Sequence, residues 1–155
     1  MNYTERAPLG VLGKAMVFVF PILILVINFL FWSLPVPFEA RLIQAIVSII
    51  VILALTAFWF TSFGFSSKEV TASFGPIKYS VSFKDIESVQ VVSVPWYFGL
   101  GVRMYFWKGN TIGFITRHNK AVELKKKTGF FKRVLLTTRD PEDFAEKIKK
   151  TTKHK

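Results

Sequence analysis

The sequence predicts an α+β protein, a two-helix transmembrane hairpin followed by a small β domain that a C-terminal helix closes. Three observations predict it. Two uncharged stretches, Ala15 to Phe38 and Leu42 to Ser67, stand back to back with only Glu39 to Arg41 between them. Their 24 and 26 residues, at roughly 1.5 Å of helical rise each, exceed a hydrocarbon core of about 30 Å. Beyond Lys68 the chain changes to short alternating runs broken by turn residues, and it ends on an amphipathic segment behind Asp140-Pro141.

The first helix is predicted over about residues 11–34, ending where Pro35 and Pro37 remove backbone donors and disfavour helical geometry before them. The run is too long for a signal-peptide core and a second span follows it at once, so an uncleaved hairpin is expected. The second helix is predicted over about 39–63. Trp32 and Trp59 fall near the two membrane boundaries, where indoles prefer to sit. Pro21 is tolerable inside a span and predicts a kink there. Asn28 is the most polar group deep in either span, with Gln44, Ser48 and Thr56 as milder cases. Neither run holds an ionisable residue, so Asn28 is read as one hydrogen bond across the hairpin rather than a transport path.

Charge places the ends. From Lys68 onward, 18 Lys and Arg stand against eight Asp and Glu, leaving +10 of the chain's +11. Lys14, Lys68 and Lys78 lie nearest the helix ends, while the hairpin turn offers only Arg41. The positive-inside rule then sets both termini in the cytoplasm, with a multi-pass protein in the inner or plasma membrane. Domain limits follow as residues 1–66 for the hairpin unit and 67–155 for the cytoplasmic domain.

Seven strands are predicted in that domain: Glu69 to Phe74, Lys78 to Phe83, Ile86 to Val94, Val102 to Trp107, Thr111 to Thr116, Ala121 to Lys126 and Lys132 to Thr137. Gly75-Pro76, Lys108-Gly109-Asn110, His118-Asn119 and Thr128-Gly129 supply turns, giving mostly a meander. The closing helix, about 141–152, is capped by Asp140, opened by Pro141 and favoured by Glu142 and Asp143 at its positive end. Phe144, Ala145 and Ile148 form its apolar stripe, with Lys147, Lys149, Lys150 and Lys153 turned outward.

Several segments carry a resemblance: Ile86 with Val89; Trp96-Tyr97-Phe98-Gly99-Leu100-Gly101-Val102-Arg103; Ala121-Val122-Glu123-Leu124; Val134-Leu135-Leu136-Thr137-Thr138; and Asp140-Pro141-Glu142-Asp143-Phe144. In this order, with seven strands and one helix, they resemble the bacterial and archaeal pleckstrin-homology-like membrane proteins. The resemblance implies a seven-stranded β barrel or sandwich capped by a helix, and a binding or scaffold role rather than catalysis. It does not extend to an inositol phosphate pocket, for which Lys78 and Lys84 are too sparse. Gly99 and Gly101 are read as backbone positions needing positive φ, and Arg103 as a partner for an acid or for loop carbonyls.

Functional classes narrow accordingly. The chain has no cysteine and only His118 and His154 as imidazoles. It carries no P-loop, zinc-protease or nucleophile-elbow motif, so no catalytic residue, cofactor or metal site is expected. Asp85 and Glu87 are read as a solvated strand face. The sharper feature is Lys125-Lys126-Lys127-Thr128-Gly129-Phe130-Phe131-Lys132-Arg133, five cations framing two phenylalanines on a hairpin tip. Either the tip docks on anionic headgroups, or one ring turns into the barrel and the lysines form a solvated rim. Trp96, Tyr97 and Phe98 are a second candidate contact. Expected partners are membrane lipids, a protein or further copies of the chain. Nucleic acid is not expected, because a tethered bilayer already meets the charge and no recognition motif accompanies it. A subunit or assembly factor of a larger membrane complex is the alternative role.

Overall fold

A computed structural model describes residues 3–106 and 109–153. Trp107, Lys108 and His154, named above, lie outside the described residues. The elements in order are β1 (Tyr3–Arg6), α1 (Val11–Trp32), α2 (Phe38–Thr56), β2 (Ser62–Phe65), β3 (Glu69–Phe74), β4 (Ile77–Ser82), β5 (Ile86–Ser93), β6 (Gly101–Tyr105), β7 (Thr111–Ile115), β8 (Lys120–Lys126), β9 (Arg133–Leu136) and α3 (Pro141–Lys153).

Helices α1 and α2 are long and apolar enough to cross a membrane. Protein covers almost none of that surface: Phe29 is 78% exposed, and Ile43 and Leu53 are similarly bare. An apolar face left uncovered on this scale calls for hydrocarbon, since water would oppose it at about 25 cal/mol per Å². The expected hydrogen bond across the hairpin is present. Asn28 Nδ2 donates to Ser48 Oγ at 2.6 Å and to its own helix at Ile24 O, and Ser48 is buried. Asn28→Leu should therefore loosen the two helices by about 0.6–2 kcal/mol, read as a lower unfolding midpoint of the detergent-solubilised hairpin.

The β unit is wider than residues 67–155. Helix α2 stops at Thr56 rather than near 63, and the chain turns through Ala57–Thr61 into β2, which pairs with β3 on one side and with β1 on the other. Phe63 and Phe65, which read as membrane residues, are instead buried in the domain core. Their alternation with a glycine suits a strand between two partners better than a lipid-facing helix end.

Among the described residues, nine strands form two sheets in place of the seven-stranded meander. The first is β1-β2-β3-β4, antiparallel throughout, and the second is β5-β8-β9-β7-β6, with β7 and β9 parallel. The departure has a physical cause in β9, whose apolar run Val134-Leu135-Leu136 is buried on both faces, as is every residue of β7. Strands buried on both sides belong at a sheet's centre. Phe63, Phe114, Leu124 and Leu136 fill the space between the sheets.

Helix α3 closes the open end as expected. Asp140 Oδ1 accepts the Asp143 N–H at 3.1 Å, and Phe144, Ala145 and Ile148 are buried, with the Phe144 ring edge-on to Phe65. Lys147 and Lys150 pair with Asp143 and Glu146 one turn earlier, at 2.6 and 2.7 Å. Strand β1 is locked against this helix: the Tyr3 ring lies 6.0 Å from that of Phe144 with Lys147 Nζ over it, and Glu5 Oε1 accepts the N–H of Arg139 just before the helix at 2.9 Å.

Candidate functional site

The two helices join the domain at one end of its strands. The Gly10 N–H donates to Thr116 O at 3.2 Å, just past β7, and Thr116 Oγ1 donates to Pro8 O at 2.7 Å. On the other side Phe58 packs edge-on against Phe74, and Gly75, at φ +56°, lies against Ala57. This helix-proximal end is ringed by exposed apolar side chains, among them Trp59, Phe60 and Ile77.

The aromatic-glycine loop leaves and re-enters the second sheet at the same end. It departs after Val94, whose N–H donates to Asn119 O, and returns at Gly101, paired with Ile115. Because β5 and β6 are opposite edges of that sheet, the loop must cross it. Of the three aromatics predicted as contacts, Trp96 (80% exposed) and Tyr97 (61% exposed) point outward. Phe98 does not: it is buried with its ring 4.5 Å from that of Tyr105, whose hydroxyl donates to the Phe98 carbonyl. Burial pushes the Tyr105 phenol above its usual range. Gly99 (φ +66°) and Gly101 (φ +94°) take the left-handed backbone foreseen for them, and Arg103 Nε donates to Leu100 O at 3.0 Å. Arg103 thus serves the loop carbonyl, the second of its two predicted roles.

The cationic tip lies at the other end. Strand β8 runs from Lys120, opposite Ser93, out to Lys126, and β9 starts at Arg133 opposite Thr111, the far end of β7. At about 3.3 Å per residue, the tip stands roughly 13–20 Å beyond the helix junction along the strands. There Phe130 is 64% exposed, while Phe131 turns inward and packs edge-on against Tyr79. Phe106 is also exposed, its ring 6.2 Å from that of Phe130.

The five cations divide. Lys126 Nζ donates to Tyr79 Oη at 3.1 Å and lies over its ring, and Arg133 Nη1 is 3.6 Å from the buried Glu123. Lys126 is thus turned to the fold, whereas the Arg133 side chain stays 45% exposed beside Glu123. Lys125, Lys127 and Lys132 are exposed, with Lys125 4.0 Å from Glu87 and Lys132 Nζ on the Lys127 carbonyl. Asp85 supports the tip rather than lying free: its carbonyl accepts the Lys127 N–H and its carboxylate the Thr128 hydroxyl. His118 is exposed, and among the described residues no cluster of three metal-ligating side chains occurs.

Sequence reasoning missed one place. Under the crossing loop, on the outer face of the second sheet, a cleft of about 290 Å³ is lined by Gln90, Val92, Val94, Phe98, Glu123 and Arg133 among others. The available signal was a glutamate inside the apolar run Ala121-Val122-Glu123-Leu124, where alternation puts it opposite the core. No protein-family profile, curated protein or solved structure matches the chain.

Proposed function

We propose that the chain is a non-enzymatic, membrane-anchored scaffold of pleckstrin-homology-like type, spanning an inner or plasma membrane twice with both termini in the cytoplasm, and that its domain presents the cationic-aromatic tip to a protein partner. One observation supports this above the rest: helices and tip occupy opposite ends of the domain. The surface potential of a charged leaflet decays over about 8 Å at physiological ionic strength. A tip some 13–20 Å beyond the junction lies outside that layer of its own membrane. The bilayer is met instead by Trp59, Phe60 and the Trp96-Tyr97 pair, whose amphipathic rings suit the interface. Exposed Phe130 and Phe106 beside Lys125, Lys127 and Lys132 then fit a partner surface that is acidic around an apolar centre.

The combination Lys127→Glu, Lys132→Glu and Phe130→Ala tests this in the full-length chain in its membrane. Lys126 and Arg133 are left intact because they contact Tyr79 and Glu123 of the domain. Crosslinking from the tip of the wild-type chain should yield one dominant adduct, and the variant should lose it by about tenfold or more, the loss of roughly 1.4 kcal/mol or more of interface energy. An adduct of undiminished yield would refute the tip as the contact. The mass of the solubilised particle separates a self-assembling scaffold from a subunit of a mixed complex.

A further inference from the structure

Glu123 sits in mid-β8 with its side chain 7% exposed, on the face opposite core-facing Val122 and Leu124. Its neighbours across the sheet are Gln90 on β5 and Leu135 on β9. One carboxylate oxygen, Oε2, accepts from Gln90 Nε2. The other, Oε1, has Arg133 Nη1 at 3.6 Å, beyond the roughly 2.7–3.2 Å of an N–H···O bond. The carboxylate is therefore held by Gln90 on one oxygen and faces the Arg133 guanidinium with the other, at a distance that leaves room for a closer donor.

Glu123 and Arg133 both line the cleft of about 290 Å³, a size at the lower edge of ligand pockets. Val92, Val94, Phe98 and Leu135 supply the apolar part of its walls, beside the polar Gln90, Ser93 and Thr111. The roof is set in advance, because the Tyr105 hydroxyl holds the Phe98 carbonyl and Gly99 supplies the turn behind it. The Arg133 side chain, 45% exposed, stands at the rim with donors to spare.

The geometry points to a binding site for a small zwitterion of the α-amino-acid class with an aliphatic side chain. Its ammonium donates to Glu123 Oε1, its carboxylate meets Arg133, and its side chain rests on Phe98 and Leu135. This goes beyond the scaffold reading and does not depend on it, since neither Lys127, Lys132 nor Phe130 lines the cleft.

Calorimetric titration of the detergent-solubilised full chain with leucine, N-acetyl-leucine and leucinamide tests the assignment. Leucine should bind, and the two blocked analogues, each lacking one charge, should bind at least about tenfold more weakly. Glu123→Gln should weaken leucine by a similar factor. Val92→Phe, which fills the cleft from a half-buried wall position, should abolish binding while the unliganded melting temperature stays near that of the wild type. Absence of leucine binding up to roughly 10 mM, equal affinity for N-acetyl-leucine, or full affinity in a folded Glu123→Gln or Val92→Phe chain would each overturn it.

Discussion

Truncation of Phe63 to alanine is expected to destabilise the β domain by about 3–5 kcal/mol, the largest effect of any single side chain near the helix junction. Phe63 is fully buried on β2, between Glu5 of β1 and Ala72 of β3 in register. Strands on both sides are fixed by hydrogen bonds, so the structure has little freedom to collapse into the space left behind. A loss of this size consumes much of the 5–15 kcal/mol that holds a domain of this kind together. The α1–α2 hairpin should survive, because Phe63 belongs to the core of the β domain and not to the two helices. The measurement is thermal unfolding of the full chain in detergent, followed by strand and helix signals separately. A strand transition displaced by less than about 1 kcal/mol would show that the core repacks around the gap.

Gly64→Val should release β1 from the domain. A β-carbon at Gly64 would lie 2.6 Å from the Tyr3 carbonyl oxygen and 3.0 Å from Thr4 Oγ1, and backbone cannot yield as a flexible side-chain end would. Overpacking of this kind costs about 1–3 kcal/mol, enough to unseat a four-residue edge strand. The readout is the Tyr3 phenol. It donates to Glu5 Oε2 at 2.8 Å, and that bond, followed by burial and the Glu5 charge, raises its pKa from 10.0 to about 12. Because the folded value is the higher one, the docked strand's contribution is complete below about pH 10 and is lost as pH climbs toward 12. In Gly64→Val the Tyr3 resonance should titrate near 10, and this alkaline loss should vanish. Retention of the raised value would mean that β1 stays docked despite the added side chain.

Much of the local structure was legible because it is periodic. Uninterrupted apolarity marks α1 and the start of α2, alternation marks β3 through β6, and Asp140-Pro141 marks the start of α3, each within two or three residues, whereas the end of α2 falls at Thr56 rather than near 63. The second helix ran long in the sequence reading because Phe63 and Phe65 are as apolar as lipid-facing residues, and only a sheet partner distinguishes them. That partner, Tyr3–Arg6, lies on the far side of both helices and has no pattern long enough to read. The tip showed the same division. Its five cations and two phenylalanines were visible, whereas the inward turn of Phe131 onto Tyr79, the contacts of Lys126 with Tyr79 and of Arg133 with Glu123, and its distance from the helices were not.

What the sequence determined by itself, then, is which segments seek hydrocarbon, which are helix or strand, and where the charge lies, since each is a property of neighbours along the chain. Only the tertiary structure decided that the first strand joins the domain, that β9 pairs parallel with β7, which end bears the tip, and that Glu123 lies buried under a crossing loop. These depend on register between segments tens of residues apart, and register is set by how apolar faces from the whole chain pack together, which no single stretch encodes.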